Sequence, residues 1–169
     1  MPVKGYPEGV RAAPWVLLLL AGCGSPPPGL PDASCGTGAG SVEVGQGGSR
    51  LRALPAEGGE LDIVRGSQGG IHVLVGAWVQ GMDLEMTLRY RLEEGGEPVG
   101  IETEVPLRPA LFAPSGERFV RHPDLVVLDN DSPDTSGFVG RTVELTAEAL
   151  SVDGSHACDT RVVTLADPG

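Results

Sequence analysis

The chain has 169 residues, 12 of them basic and 23 acidic, for a formal net charge of −11. That balance argues against a nucleic-acid partner, because phosphate binding needs clustered Lys and Arg. Lys4 is the only lysine, so no P-loop lysine, lysine Schiff base or Ser-Lys dyad is available beyond the first few residues.

The N-terminal segment has the three parts of an export signal. Lys4 and Arg11 supply positive charge, with Glu8 among them, and Ala12 to Leu20 form an apolar run containing Trp15, Val16 and four consecutive leucines. That run falls well short of the ~20 apolar residues needed to span a bilayer as a helix. Small residues Ala21 and Gly22 precede Cys23, and Gly24, Ser25 and Pro26 to Pro28 follow it. The motif Leu20-Ala21-Gly22-Cys23 resembles the lipobox of bacterial lipoproteins. The alternatives are a plain secretory signal with a chance cysteine, or a buried helix. The resemblance implies cleavage before Cys23, a diacylglyceryl thioether on its sulfur and acylation of the new amino group. Several acyl chains give stable anchoring where one chain is marginal. Gly24, in place of Asp, implies the outer membrane.

Loss of residues 1–22 takes Lys4, Arg11 and Glu8 with it, leaving 147 residues with 10 basic and 22 acidic side chains. That length suits one domain with a real core. Residues 23–40 are rich in Pro, Gly and Ser without periodicity, as expected of a tether, and 41–169 form the domain. With Cys23 assigned to lipid, Cys35 and Cys158 remain, and an oxidising envelope makes them a natural disulfide pair. On the chain-entropy model so long a loop contributes roughly 4–5 kcal/mol. Free or intermolecular thiols are the other possibility.

From Ser41 onward the pattern is one of strands. Short candidates lie at Ser41–Val44 and Ser49–Leu54, followed by Glu60–Arg65. Ile71–Val79 carries Ile71, Val73, Val75, Ala77 and Val79 on one face and Leu74 and Trp78 on the other, as expected of a central or covered strand. Leu84, Met86, Leu88, Tyr90 and Leu92 alternate with polar residues, the period of a half-buried strand. Val99–Val105 is a further candidate. Pro106–Pro123 holds four prolines and reads as loop with one edge segment. Leu125–Leu128 follows. Val143, Leu145, Ala147 and Ala149 alternate with Thr and Glu until Leu150 breaks the parity, a sign of a bulge or strand end. Asp153-Gly154 is a hairpin turn signal leading into a returning strand, Ser155–Leu165. No stretch shows a helical period.

Seven to nine short strands point to an all-β antiparallel β-sandwich. Trp78 on a central strand, with the closing Asp-Gly hairpin, resembles immunoglobulin-like domains over residues 41–167, without their core disulfide. Arg65-Gly-Ser-Gln-Gly-Gly-Ile-His-Val73 resembles a segment of myxobacterial-type lipoproteins. Its glycines make a tight connection into the central strand.

Asp129-Asn130-Asp131-Ser132-Pro133-Asp134 is the best metal candidate. Close-set oxygen ligands on a loop suit Ca²⁺, and Asp129, Asp131 and Asp134 would be the ligands. The EF-hand pattern fails beyond its first two positions, where Pro133 and Asp134 intrude and Gly140 replaces the bidentate Glu. Turn formation explains the same composition. His72, His122 and His156 lack the spacing of a Zn²⁺ or Cu²⁺ site. No G-x-S-x-G elbow occurs, and the Gly-rich GTGAGS and GQGG runs lack a following helix.

These observations converge on a non-enzymatic, lipid-anchored immunoglobulin-like module of the bacterial envelope, facing periplasm or cell surface. It would bind or scaffold an envelope protein or polysaccharide, with no cofactor. A Ca²⁺-stabilised adhesion-type module and an enzyme with a dispersed site are the alternatives. Pro106–Pro123 and Asp129–Asp134 are the surfaces expected to make contact.

Overall fold

The computed structural model describes residues 40–168. The signal segment, Cys23, Cys35 and the tether up to residue 39 lie outside them. Strands account for the regular structure, as the period-two patterning requires: β1 (Ser41–Gln46), β2 (Arg52–Ala53), β3 (Gly59–Arg65), β4 (Ile71–Gln80), β5 (Met86–Glu94), β6 (Glu97–Pro98), β7 (Thr103–Leu107), β8 (Phe112–Ser115), β9 (Arg118–Asp129), β10 (Thr142–Ser151) and β11 (His156–Ala166). One 3₁₀ turn spans Pro109–Leu111.

Two layers face each other. In one, β1 pairs with β4, β4 with β9 and β9 with β8; in the other, β7 pairs with β5, β5 with β10 and β10 with β11. The orders β1-β4-β9-β8 and β5-β10-β11 are the two sheets of an immunoglobulin-like sandwich. Strand β3 belongs to both layers. Gly59–Asp62 run parallel to Val163–Ala166 of β11, and Ile63–Arg65 then pair antiparallel with Ile71–Val73 of β4. This switch joins all eleven strands into one hydrogen-bonded network. The all-β sandwich is as expected, with the parallel β3–β11 pairing as an exception to its antiparallel pattern and eleven strands where about seven to nine were expected. The two extra strands are the two-residue β2 and β6, which carry too little sequence to leave a pattern.

The core lies between the layers. Val44, Leu61, Ile63, Val73, Val75, Ala77 and Val79 meet Leu88, Tyr90, Leu145, Ala147, Val163 and Leu165, all essentially inaccessible. Each large aliphatic side chain so buried is worth about 1.5–3 kcal/mol. Tyr90 of β5 is the fully buried aromatic, and Ala147 stands opposite it on β10. The small partner leaves room for the ring.

Trp78 does not take that place. It lies half-buried on the outer face of β4, with the Arg118 guanidinium 5.3 Å from its ring centre. Beneath it Gly45 of β1 pairs with Gly76 of β4. A Cβ on Gly45 would come within 2.7 Å of the indole, and one on Gly76 within 3.0 Å of Leu51. Trp78 and Leu51 therefore lie flat over two glycines, which explains a strand apolar on both faces.

The proline-rich tract is more regular than its composition suggests. Pro114 sits in the short edge strand β8, and Pro123 lies within β9. There the register shifts: Val75 pairs with Asp124 but Ala77 with Arg121, leaving His122 and Pro123 opposite Gly76. A proline at a bulge loses no ladder bond. Leu150 causes no bulge. It pairs in regular register with His156, half-buried on the outer face, and Ser151 continues the strand. The Asp153-Gly154 turn is as expected, with Gly154 at φ 87° and the Ser155 N–H donating to Asp153 Oδ1 at 2.8 Å.

The free edge of β9 is covered rather than open. Ile101 N–H donates to Val127 O at 2.8 Å, and Thr103 Oγ1 donates to Leu125 O at 3.1 Å. Gly100, at φ 85°, makes this approach possible, since a Cβ there would collide with the Val127 carbonyl. At the opposite corner Val44 N–H donates to Asp159 Oδ2 at 2.9 Å. A side-chain carboxylate thus occupies a backbone donor on β1, one of the devices that blunt edges against strand addition.

Candidate binding face

Two segments singled out in the sequence meet at one end of the sandwich. The β3–β4 turn is the Arg65–Gly70 stretch, closed by Gly66 N–H to Gly70 O at 2.7 Å and Gly69 N–H to Gly66 O at 3.1 Å. Gly69 takes φ 102° there, a conformation β-carbons disfavour. Gly70 packs against the backbone of Asp129 and Asn130, where the acidic loop begins. Between them lies a shallow depression of about 620 Å³, floored by His72, Leu125 and Val127 and rimmed by Gln68, Asp129 and Asn130. Leu125 stands opposite Leu74 on the outer face and Val127 opposite His72. Leu125 and the neighbouring Ile101 are each 51% exposed, which gives this face an apolar component beside the acidic loop. Partial burial lowers the His72 pKa from its ordinary value, because desolvation disfavours the charged ring.

The acidic loop is organised by its own turns. Asp129 Oδ1 accepts the Asp131 N–H at 2.7 Å, Ser132 Oγ accepts the Asp134 N–H at 3.1 Å, and Asp134 Oδ1 accepts the Ser136 N–H at 2.9 Å. The Ser136 backbone N–H, and then its side chain, hold the Asp134 carboxyl below its ordinary pKa. Further on, Thr135 Oγ1 donates to Asp167 Oδ2 at 2.8 Å, and Arg65 Nη1 donates to Asp167 Oδ1 at 2.9 Å. The loop is thereby pinned to β3 and to the end of β11. Asp129 and Asp134 thus spend an oxygen each on turn closure, and among the described residues no group of three or more His, Cys, Asp or Glu could hold a metal ion. The melting temperature of the purified protein is expected to agree within about 1 °C between millimolar Ca²⁺ and excess chelator, since only a ligand that binds the native state raises it. A rise of several degrees with Ca²⁺ would overturn that expectation.

The three histidines sit on different strands: His72 on the outer face of β4, His122 at the β9 bulge and His156 at the start of β11. His156 belongs to a network that the sequence does not advertise. Its Nε2 lies 2.8 Å from Glu148 Oε1, and Arg89 Nη1 lies 3.6 Å from Glu148 Oε2. Arg89 also reaches Glu104 at 2.5 Å and Glu102 at 3.3 Å. Glu148 is only 2% exposed although its parity on β10 points it outward. Period-two alternation marks it as a solvent residue. Only the register, with Arg89 directly opposite on β5 and Cys158 opposite on β11, reveals the pair. Cys158 is disulfide-bonded, and its partner lies outside the described residues.

No known family model matches the chain. No curated protein matches it either. Among solved structures, the CooA pilin subunit from enterotoxigenic Escherichia coli is similar over 75% of this chain and 99% of that one, with 15% identity and a TM-score of 0.33.

Proposed function

We propose that this protein is a lipid-anchored binding module of the bacterial cell envelope, without enzymatic activity. The observation that carries the reading is Leu20-Ala21-Gly22-Cys23, placed after a short apolar run and before a Pro/Gly-rich stretch. Cys23 carries the lipid, residues 23–40 form the tether, and Cys35 pairs with Cys158. Gly24 favours the outer membrane. The described domain supports a binding role in its form: a sandwich that presents loops and a shallow depression floored by Leu125 and Val127, as loop-borne recognition requires. The partner is an envelope protein or polysaccharide, engaged at the face around Leu125, Val127 and Ile101. Its acidity suits a domain that must stay soluble while held at a surface.

Cells expressing the full chain and its Cys23→Ala variant provide the test. The parent is expected in the membrane fraction with incorporated labelled fatty acid, and the variant without label and in the soluble or secreted fraction. A Cys23→Ala protein that still carries lipid would overturn the anchoring.

A further inference from the structure

We infer that the depression beside Leu125 receives a cationic segment of a partner protein, one that brings an aliphatic side chain together with lysine or arginine. That occupant presupposes the binding role proposed above for this face.

The depression has the layout of a small recognition site, apolar at its centre and polar at its rim. Leu125 and Val127 of β9, with His72 of β4, form the floor, and Gln68 and Asn130 place amide groups at the margin. Leu125 leaves about half of its surface to solvent, as does Ile101, which its own N–H fixes beside Val127. The neighbouring backbone is already engaged. Ile101 N–H occupies Val127 O, Thr103 Oγ1 occupies Leu125 O, and the turn closes from Gly66 N–H to Gly70 O. An occupant is therefore held by its side chains rather than by adding a strand.

Charge selects the occupant. Asp129 lines the depression, and the exposed Asp131 and Asp134 follow on the same loop. The turn bonds that Asp129 and Asp134 accept are from neutral backbone N–H groups, so both carboxylates keep their charge. Arg65 is the only Lys or Arg among the described residues that line the depression. It is committed elsewhere: its guanidinium pairs with Asp167 and reaches Thr135 Oγ1 at 3.3 Å. Desolvation holds the His72 pKa down, which disfavours a positive charge on the floor. The rim is thus left with a negative balance, and the chain's net charge of −11 acts in the same direction at longer range. The lining of described residues contains no Phe, Tyr or Trp, so it offers no flat aromatic ring on which a sugar would stack. Its aliphatic floor matches a leucine-like side chain instead.

The test titrates the full chain, in nanodiscs of zwitterionic lipid, with three probes. They are a short peptide of alternating lysine and leucine, its glutamate–leucine counterpart and an N-acetylglucosamine tetrasaccharide, with empty nanodiscs as the blank. The lysine–leucine peptide is expected to bind at least about tenfold more tightly than either other probe, and to weaken at least about fivefold between roughly 0.05 M and 0.5 M salt. Leu125→Ser, Ile101→Ser and Asp129→Asn should each weaken it at least about fivefold, with melting temperatures near the parent's to show that the variants fold. Glu117→Gln, which removes an exposed acid from the β8–β9 hairpin, should change it less than about twofold. Equal losses in Glu117→Gln and Asp129→Asn would reduce the binding to general attraction by an acidic chain and overturn the inference. Tighter binding of the tetrasaccharide, lost in Leu125→Ser, would also overturn it while leaving the face as the binding site. Self-association that Leu125→Ser abolishes would make the occupant a second copy. If no probe responds to Leu125→Ser, Ile101→Ser or Asp129→Asn, the inference and the placement of binding at this face fall together.

Discussion

Tyr90→Ala is expected to cost about 3–5 kcal/mol, the range for truncating a large buried aromatic. The ring is inaccessible to solvent, and its cross-strand neighbour Ala147 is too small to fill the space it would leave. Against a typical total stability of about 5–15 kcal/mol, that loss lowers the melting temperature by roughly 10–20 °C. The hydroxyl contributes little by comparison, since its oxygen has no well-formed hydrogen bond. Tyr90→Phe is therefore expected to stay within about 1 kcal/mol of the parent. The two variants separate further at high pH. Burial, and then the charge of nearby Asp124, push the Tyr90 phenol well above its ordinary range. An acid harder to ionise when folded leaves stability unchanged below its unfolded pKa near 10 and removes it as the pH rises further. Tyr90→Phe should flatten that alkaline decline. Denaturant midpoints at neutral pH and above pH 10 measure both effects, and an unchanged midpoint for Tyr90→Ala would refute Tyr90 as the keystone aromatic.

Arg89→Ala is expected to cost about 3 kcal/mol, because it strands the Glu148 carboxylate in a buried site. The estimate sits at the lower end of the range for such losses, since His156 keeps its contact with Glu148 Oε1 at 2.8 Å. The physical origin is desolvation: breaking a buried pair leaves one charge without water and without its partner. Removing both charges is a different matter. Arg89→Met combined with Glu148→Leu is expected to recover most of the loss, since well-packed apolar residues often match a buried pair. Urea unfolding of the two single variants and the double variant forms a cycle that isolates the interaction. If Arg89→Ala changes the midpoint as little as an exposed ion-pair mutation does, Glu148 draws its stabilisation from elsewhere.

Much of the fold was legible in the chain. The alternation from Met86 to Leu92 and from Val143 to Ala149 named the inward faces of β5 and β10, because a strand with one wet face must repeat every two residues. The Asp153-Gly154 turn placed the last hairpin. Other features misled for reasons that are equally physical. Pro123 reads as a breaker but sits where β9 has two residues opposite one, a register fact invisible along the chain. Trp78 reads as core because indole is large and apolar, yet two facing glycines provide a bed for it on the outside. Glu148 reads as solvent-facing, and its burial depends on which side chains neighbouring strands bring opposite it. Of the candidate face, the turn at Gly66–Gly70 and the loop at Asp129–Asp134 were each visible. Their adjacency was not, since nearly sixty residues separate them.

The sequence by itself determined strand identity, the inward faces and the closing hairpin, all of which are local patterns read within a few residues. Only the tertiary structure decided the shared strand β3, the Arg89–Glu148–His156 network and the meeting of turn and loop beside Leu125. Each of these depends on register and layer packing between distant segments, and a one-residue shift in register would reverse every face involved.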